Sequence, residues 1–227
     1  MTGTLSIVAT PIGNLADVTL RALETLKEAD AIACEDTRVT SKLLARYGIE
    51  KPLLVYHARS GRLAATRVLA LLGEGKHVAL VTDAGTPGIS DPGSELVALA
   101  KERLGEDVRI EAIPGPSALT AALSIAGVSA HEFTFLGFLP HKKGRQTLMR
   151  YVAESPRAVV FYESPHRLMK ALGELVEHLP EGREVVVLRE LTKIYESVVR
   201  GTPEELIAHF TAHPKEVRGE FVLIVPR

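Results

Sequence analysis

Short β-rich runs and helix-period segments take turns along most of this chain. That alternation is the pattern of βαβ units with parallel strands, not of a sandwich or a helical bundle. The first half offers the strands LSIVAT (5–10), AIACE (31–35), LLVYH (53–57), HVALVT (77–82) and RIEAIP (109–114). Amphipathic stretches at 20–28, 40–47, 63–72 and 94–104 separate them. Together they make a five-stranded α/β unit that ends near Pro114.

The segment PGPSALTAALSIAGV (114–128) reads as a helix opened by Pro116 and closed by Gly127, after which the pattern restarts with FTFLGFLP. A domain boundary is therefore expected here, with an N-terminal α/β domain over 1–115 and a C-terminal one over 116–227. The second half offers the strands FTFLGFL, AVVFYE, EVVVLREL, SVVRG and EFVLIVP, with helices at 144–153, 165–179 and 203–213. Its last three strands share one intervening helix, which predicts a mixed sheet. With 227 residues, 46% of them hydrophobic, the chain can bury the cores this requires.

Charge and composition exclude several classes. A formal net charge of -1 argues against holding nucleic acid by a general positive field, so any polyanion must meet a local patch. The single cysteine, Cys34, rules out an intramolecular disulfide and a thiolate metal cluster, fits a reducing cytosol, and reads as a small buried hydrophobe. Without a run of eighteen apolar residues or a basic start followed by a long apolar stretch, the chain reads as cytoplasmic and non-membrane. His209 and His213 have the i, i+4 spacing of helical metal ligands, but Phe210 stands where H-E-x-x-H needs glutamate, so no metal is expected.

The stretch VTDAGTPGISDPG (81–93) is the least core-like part of the first half. It follows an apolar strand, and ligands of open α/β sheets bind beyond the carboxyl ends of strands. Gly85 and Gly88 remove side chains that would keep a ligand from the backbone, while Pro87 and Pro92 limit the freedom of the loop. Asp91 and Pro92 read as the N-cap and first residue of the next helix. The loop is still longer than the usual two to six residues or so, which favours a binding loop. Neither a Walker G-x-x-x-x-G-K-[ST] nor a G-x-G-x-x-G follows the first strand, so a nucleoside triphosphate or NAD is disfavoured and an adenosyl ligand remains open.

Seven ordered blocks carry a family resemblance: VATPIGNLADVTLRAL (8–23), ACEDTRVTSKLL (33–44), VTDAGTPGISDPG (81–93), PGPSALTAAL (114–123), GFLP (137–140), ESPHR (163–167) and RELTKIYE (189–196). Together, over nearly the whole chain, they resemble the ribosomal RNA small subunit methyltransferase I family of the tetrapyrrole methylase superfamily. The resemblance implies two α/β domains, an N-terminal parallel five-stranded sheet and a C-terminal mixed sheet, with S-adenosylmethionine in a cleft between them, and a homodimer. It also implies 2′-O-methylation of a cytidine in the decoding region of 16S ribosomal RNA, on the RNA or the small subunit, with S-adenosylhomocysteine as product.

On that resemblance, residues can be assigned as expectations. Gly85, Thr86, Pro87 and Ile89 would give backbone and apolar contacts to the cofactor, and Asp83 would face a positive group. Ser117 and Ala118 would bring small residues and free helix N–H groups. Pro11 would line the pocket, although a structural turn explains it as well. Tyr162 and Leu188 would wall the adenine, although apolar strand residues are core by default.

For RNA, the run HKKGRQTLMR (141–150) sets Lys142, Lys143, Arg145 and Arg150 together without an acidic residue. A basic helix start is unfavourable to the helix dipole, which suggests a phosphate partner. His166 and Arg167, in the first turn after a strand, are further RNA candidates, and Ser164 and Pro165 are a cap pair. Asp36 and Arg38 are expected at the substrate site, with Lys193 and Glu196 from the other domain. Removing a ribose proton asks for a base or a polarising cation, for which Asp36 and Lys193 are the candidates. The rivals are a small-molecule tetrapyrrole methyltransferase, which should lack the basic run, and a non-catalytic RNA-binding factor.

Overall fold

In a computed structural model that describes residues 2–57, 61–91 and 93–227, the apolar runs of the first half pair into one parallel sheet. The unit Met1–Ser117 contains β1 (Gly3–Val8), α1 (Leu20–Glu28), β2 (Ala31–Cys34), α2 (Thr37–Arg46), β3 (Leu53–Val55), α3 (Gly61–Gly73), β4 (His77–Leu80), α4 (Gly93–Leu104) and β5 (Val108–Ile113). Its strand order is β3-β2-β4-β1-β5, with every neighbouring pair parallel. Strands covered on both faces need apolar side chains throughout, and Ala31–Cys34 is buried along its whole length.

The second unit, Ala118–Arg227, contains α5 (Ala118–Ile125), β6 (Phe133–Phe138), α6 (Arg145–Glu154), β7 (Ala158–Glu163), α7 (Pro165–His178), β8 (Val185–Arg189), β9 (Ser197–Gly201), α8 (Pro203–Ala212) and β10 (Phe221–Val225). The order is β6-β7-β10-β8-β9. Only β6 and β7 are parallel, and β10 runs antiparallel between β7 and β8, so the sheet is mixed as expected. One core, with Phe161, Leu168, Leu172, Val187, Phe210 and Leu223 among its members, joins α7 and α8 to one sheet face.

Several helix ends are set by local chemistry. Thr19 accepts from the Ala22 N–H at the start of α1, and Thr202 and Glu205 form a reciprocal capping box at α8. The helix expected to open at Pro116 begins instead at Ala118, because the Pro116 carbonyl is turned to accept a bond from Thr86 at 3.0 Å. Gly127 has φ +65°, the left-handed backbone of a helix terminator. Asp91 supports α4 by accepting from the Gly93 N–H at 2.9 Å, while the expectation for Pro92 lies outside the described residues. Among the described residues, no helix is long and apolar enough to cross a membrane.

Phe161→Ala, which empties the centre of the second core, should lower the unfolding free energy by about 3–5 kcal/mol. Thr202→Ala, which removes one half of the capping box, should cost about 1 kcal/mol. Urea titrations followed by circular dichroism read both, and equal losses would contradict this ranking.

Candidate functional site

The sheet of the first unit directs its connections to opposite faces. α1 and α2 pack on one face, through Ala22, Leu26 and Leu44, whereas α3 and α4 pack on the other, through Val68, Leu72 and Leu96. β4 lies between β2 and β1, so its connection leaves for one face while theirs leave for the other. Such a divergence opens a crevice at the carboxyl ends of the strands, where open α/β sheets bind ligands. The glycine-rich stretch after β4 stands at that point.

Its shape is set by one backbone pairing. Thr10 and Gly85 exchange two hydrogen bonds, Thr10 N to Gly85 O at 2.9 Å and Gly85 N to Thr10 O at 3.0 Å, so the loop after β4 is tied to the loop after β1. The Thr10 hydroxyl adds a bond to the Thr82 carbonyl at 3.0 Å. Gly85 and Gly88 hold φ of +86° and +88°, values that side chains disfavour. Thr86 Oγ1 donates to the Pro116 carbonyl, which joins the PGPS segment to the same cluster. Asp91 closes the far end by accepting from the Gly88 N–H at 2.6 Å as well as from Gly93.

This arrangement brings Pro11, Gly85, Thr86, Pro87 and Ser117 into one neighbourhood, with Ala118 opening the next helix. Pro11, Gly85 and Pro87 are buried, Thr86, Ser117 and Ala118 are half-buried, and Asp83 and Ile89 are exposed. Both peptide groups of Gly85 are engaged by Thr10, so its N–H and C=O are already paired within the protein, against the backbone contacts to a ligand expected of them.

Three carboxylates stand at the ends of β2 and β4. Glu35 accepts from the Thr82 hydroxyl at 2.9 Å, and Asp83 accepts from the Asp36 N–H at 3.1 Å. Asp36 is the N-cap of α2, accepting from the Arg38 N–H, and its carboxylate pairs with the Arg38 guanidinium at 2.6 Å. The Arg38 side chain, then the Arg38 N–H, hold the Asp36 carboxyl down at about 2. A group so weakly basic is a poor acceptor for a ribose proton at neutral pH. Asp36 is accordingly engaged as the cap of α2 and as the partner of Arg38.

In the second unit, Tyr162, Val222 and Leu188 form a row across β7, β10 and β8. Tyr162 is half-buried, edge-on to Phe135 and Phe138 at 4.9 and 5.4 Å, and burial pushes its phenol up. Leu188 has 0% exposure, so it is core and offers no surface to an adenine, contrary to expectation. In the RELTKIYE turn, Glu196 accepts from the Thr192 N–H at 2.6 Å, and Lys193 pairs with Glu190 and Glu220. Burial alone would depress Lys193, but these carboxylates outweigh it and hold the ammonium above the ordinary lysine range. Lys193 is thus a fixed cation.

The basic run divides. Lys142, Lys143 and Arg150 are exposed, as is His166. Arg145 is 2% exposed, pairing with Glu174 at 2.7 Å and with Glu163 at 3.4 Å, so it is not the RNA contact expected of it. Arg167 is also engaged by protein, forming an ion pair with Glu163 at 2.7 Å and donating to the Leu139 carbonyl at 2.7 Å. Ser164 occupies the N-cap of α7 without a side-chain capping bond.

Sequence reasoning missed Thr10 and the pair Glu163 and Glu174. Thr10 carried a signal in its place two residues after β1, before Pro11. Glu163 and Arg167 carried one in their i, i+4 spacing. Among the described residues, no group of three or more His, Cys, Asp or Glu side chains could hold a metal ion. His209 instead bonds Glu216 at 2.9 Å and stacks on His213. What the first unit presents is a side-chain-free bend at Gly85, apolar Pro87 and Ile89, and the Asp83 and Glu35 carboxylates, a donor set that suits an adenosyl group carrying positive charge.

Residues 4–207 match the family model described as Tetrapyrrole (Corrin/Porphyrin) Methylases. The chain is 45% identical over 223 residues to the ribosomal RNA small subunit methyltransferase I of Thermotoga maritima, covering 98% of each chain. It is 46% identical to the protein of that name from Escherichia coli O157:H7, covering 98% of this chain and 77% of the relative. In fold it is similar to the crystal structure of the methyltransferase CobJ, with a TM-score of 0.74 at 23% identity over 100% of this chain and 95% of the other.

Arg145→Ala would take the 2.7 Å partner from buried Glu174 and leave Glu163 to Arg167 alone, and it should cost about 3–5 kcal/mol in unfolding free energy. A loss under 1 kcal/mol by urea titration would contradict the buried pairing. Cys34, whose thiol burial pushes up, should stay unreactive towards a thiol-specific chromophore at pH 8 and react only after denaturation.

Proposed function

The chain belongs to the ribosomal RNA small subunit methyltransferase I family of tetrapyrrole methylases, and on that premise we propose that it methylates a cytidine ribose 2′-hydroxyl in the decoding region of 16S ribosomal RNA. When bound, S-adenosylmethionine would supply an electrophilic methyl group, with S-adenosylhomocysteine as the product. The observation that carries the reading is the Thr10–Gly85 pairing, which folds a glycine bend over the carboxyl end of β4. Pro11, Pro87 and Ile89 would take the apolar surface of the cofactor, and Asp83 its positive charge. Thr86, Ser117 and Ala118 would complete the pocket.

The chain's task is positioning, since a methyl transfer to oxygen needs donor and hydroxyl held in line at near-attack distance. Lys193, fixed as a cation, fits the role of polarising the hydroxyl. Lys142, Lys143 and His166 would meet phosphates, with Arg38 and Glu196 beside the target nucleotide. A chain with a net charge of -1 needs such a local patch, and the exposed lysines weigh against a small tetrapyrrole as substrate. The same reading makes the enzyme a cytoplasmic homodimer acting on 16S RNA or the small subunit.

A deletion strain should lose a 2′-O-methyl cytidine from its 16S RNA, regained with the wild-type gene and not with Gly85→Val. An unchanged methylation map would contradict the proposal. In calorimetry Gly85→Val should lose S-adenosylmethionine binding while keeping its circular dichroism. Lys142→Ala with Lys143→Ala should keep cofactor binding, weaken RNA affinity, and reduce the salt slope by about 1–2.

A further inference from the structure

Beneath the exposed lysines lies a charge cluster that the reaction does not use directly. Arg145 and Glu163 are 2% and 1% exposed, Glu174 is 7% exposed, and the Arg167 side chain reaches 15%. Glu163, the last residue of β7, joins both arginines, since Arg167 Nε meets its Oε1 at 2.7 Å and Arg145 Nη2 meets its Oε2 at 3.4 Å. Arg145 Nε donates to Glu174 of α7 at 2.7 Å. Each guanidinium also donates to the loop after β6, Arg167 Nη1 to the Leu139 carbonyl at 2.7 Å and Arg145 Nη1 to the Pro140 carbonyl at 3.2 Å. Lys142 and Lys143 follow those two carbonyls after a single residue, His141. The loop then closes on α6 through the Arg145 N–H and the Lys142 carbonyl at 3.2 Å.

Stability alone accounts poorly for such a cluster. Burying four charges carries a desolvation cost that well-packed apolar residues avoid, and Arg145 in the first turn of α6 also opposes the helix dipole. An apolar plug, however, could not bond two successive carbonyls. The charged fork of arginine can, while its other donors stay with carboxylates.

We propose that Arg145, Glu163, Arg167 and Glu174 are positioning residues that clamp the backbone at Leu139 and Pro140, so that Lys142 and Lys143 are presented to RNA phosphates. The proposal rests on the ribosomal RNA reading above. It is tested on the full chain with 16S RNA, using Glu163→Gln and Arg167→Lys, each alone and in the Lys142→Ala, Lys143→Ala background. Arg167→Lys, at the rim of the cluster, keeps its charge and carries the test should Glu163→Gln fail to fold.

Each clamp variant should raise the Kd and KM for RNA by about 5–10-fold, lower the salt slope, and leave kcat at saturating RNA and the S-adenosylmethionine Kd unchanged. In the background without the two lysines, the same substitutions should add nothing further. Equal losses in both backgrounds, or wild-type RNA affinity in a folded clamp variant, would overturn the positioning role while leaving the RNA reading intact. Wild-type RNA affinity in the double lysine variant itself would overturn the RNA role of the run, and the clamp with it.

Discussion

The paired hydrogen bonds between Thr10 and Gly85 are the constraint on which the proposed ligand site depends. β4 ends at Leu80, and without a partner the next residues would run out into solvent as an ordinary connection to α4. The pairing turns them back across the end of β1, in a conformation that φ of +86° restricts to glycine in practice. Thr86 then reaches the Pro116 carbonyl, and the cluster draws on the connections after β1, β4 and β5. A parallel sheet with helices on both faces supplies the crevice, and this small motif decides what shape of ligand the crevice admits.

The second unit solves a different problem. On the proposed reading a polyanion is met by a chain whose total charge is close to zero, which requires cationic side chains to be concentrated and aimed. Lys142 and Lys143 provide the exposed charge, and Arg145, a neighbour in sequence, is turned inward onto Glu163 and Glu174. Charge in the run therefore has two uses, one facing solvent and one facing the core.

The fold was largely legible. Strands over 31–34 and 158–163 and a helix over 20–28 follow from hydrophobic period and caps, and the mixed sheet follows from the shortage of crossover helices in the last third. The divergent ends have particular causes. α2 starts at Thr37, not at 40, since Asp36 caps it, and α5 starts late because the Pro116 carbonyl is bonded elsewhere. Both causes are side-chain contacts, one of them across 30 residues, which periodicity does not encode.

The site was legible in part. Glycine and proline after an apolar strand pointed to the loop itself, but not to the fact that Thr10 takes the Gly85 peptide groups. Arg145 and Lys142 look alike in sequence, and only the distant carboxylates separate them. Leu188 was misjudged for the converse reason, since an apolar strand residue carries no local sign of whether its face is open. A crystal structure with S-adenosylhomocysteine bound is the most direct measurement. Density for the ligand against the 83–89 bend and Pro11 is the expected result, and density at any other place on the chain would contradict the central claim.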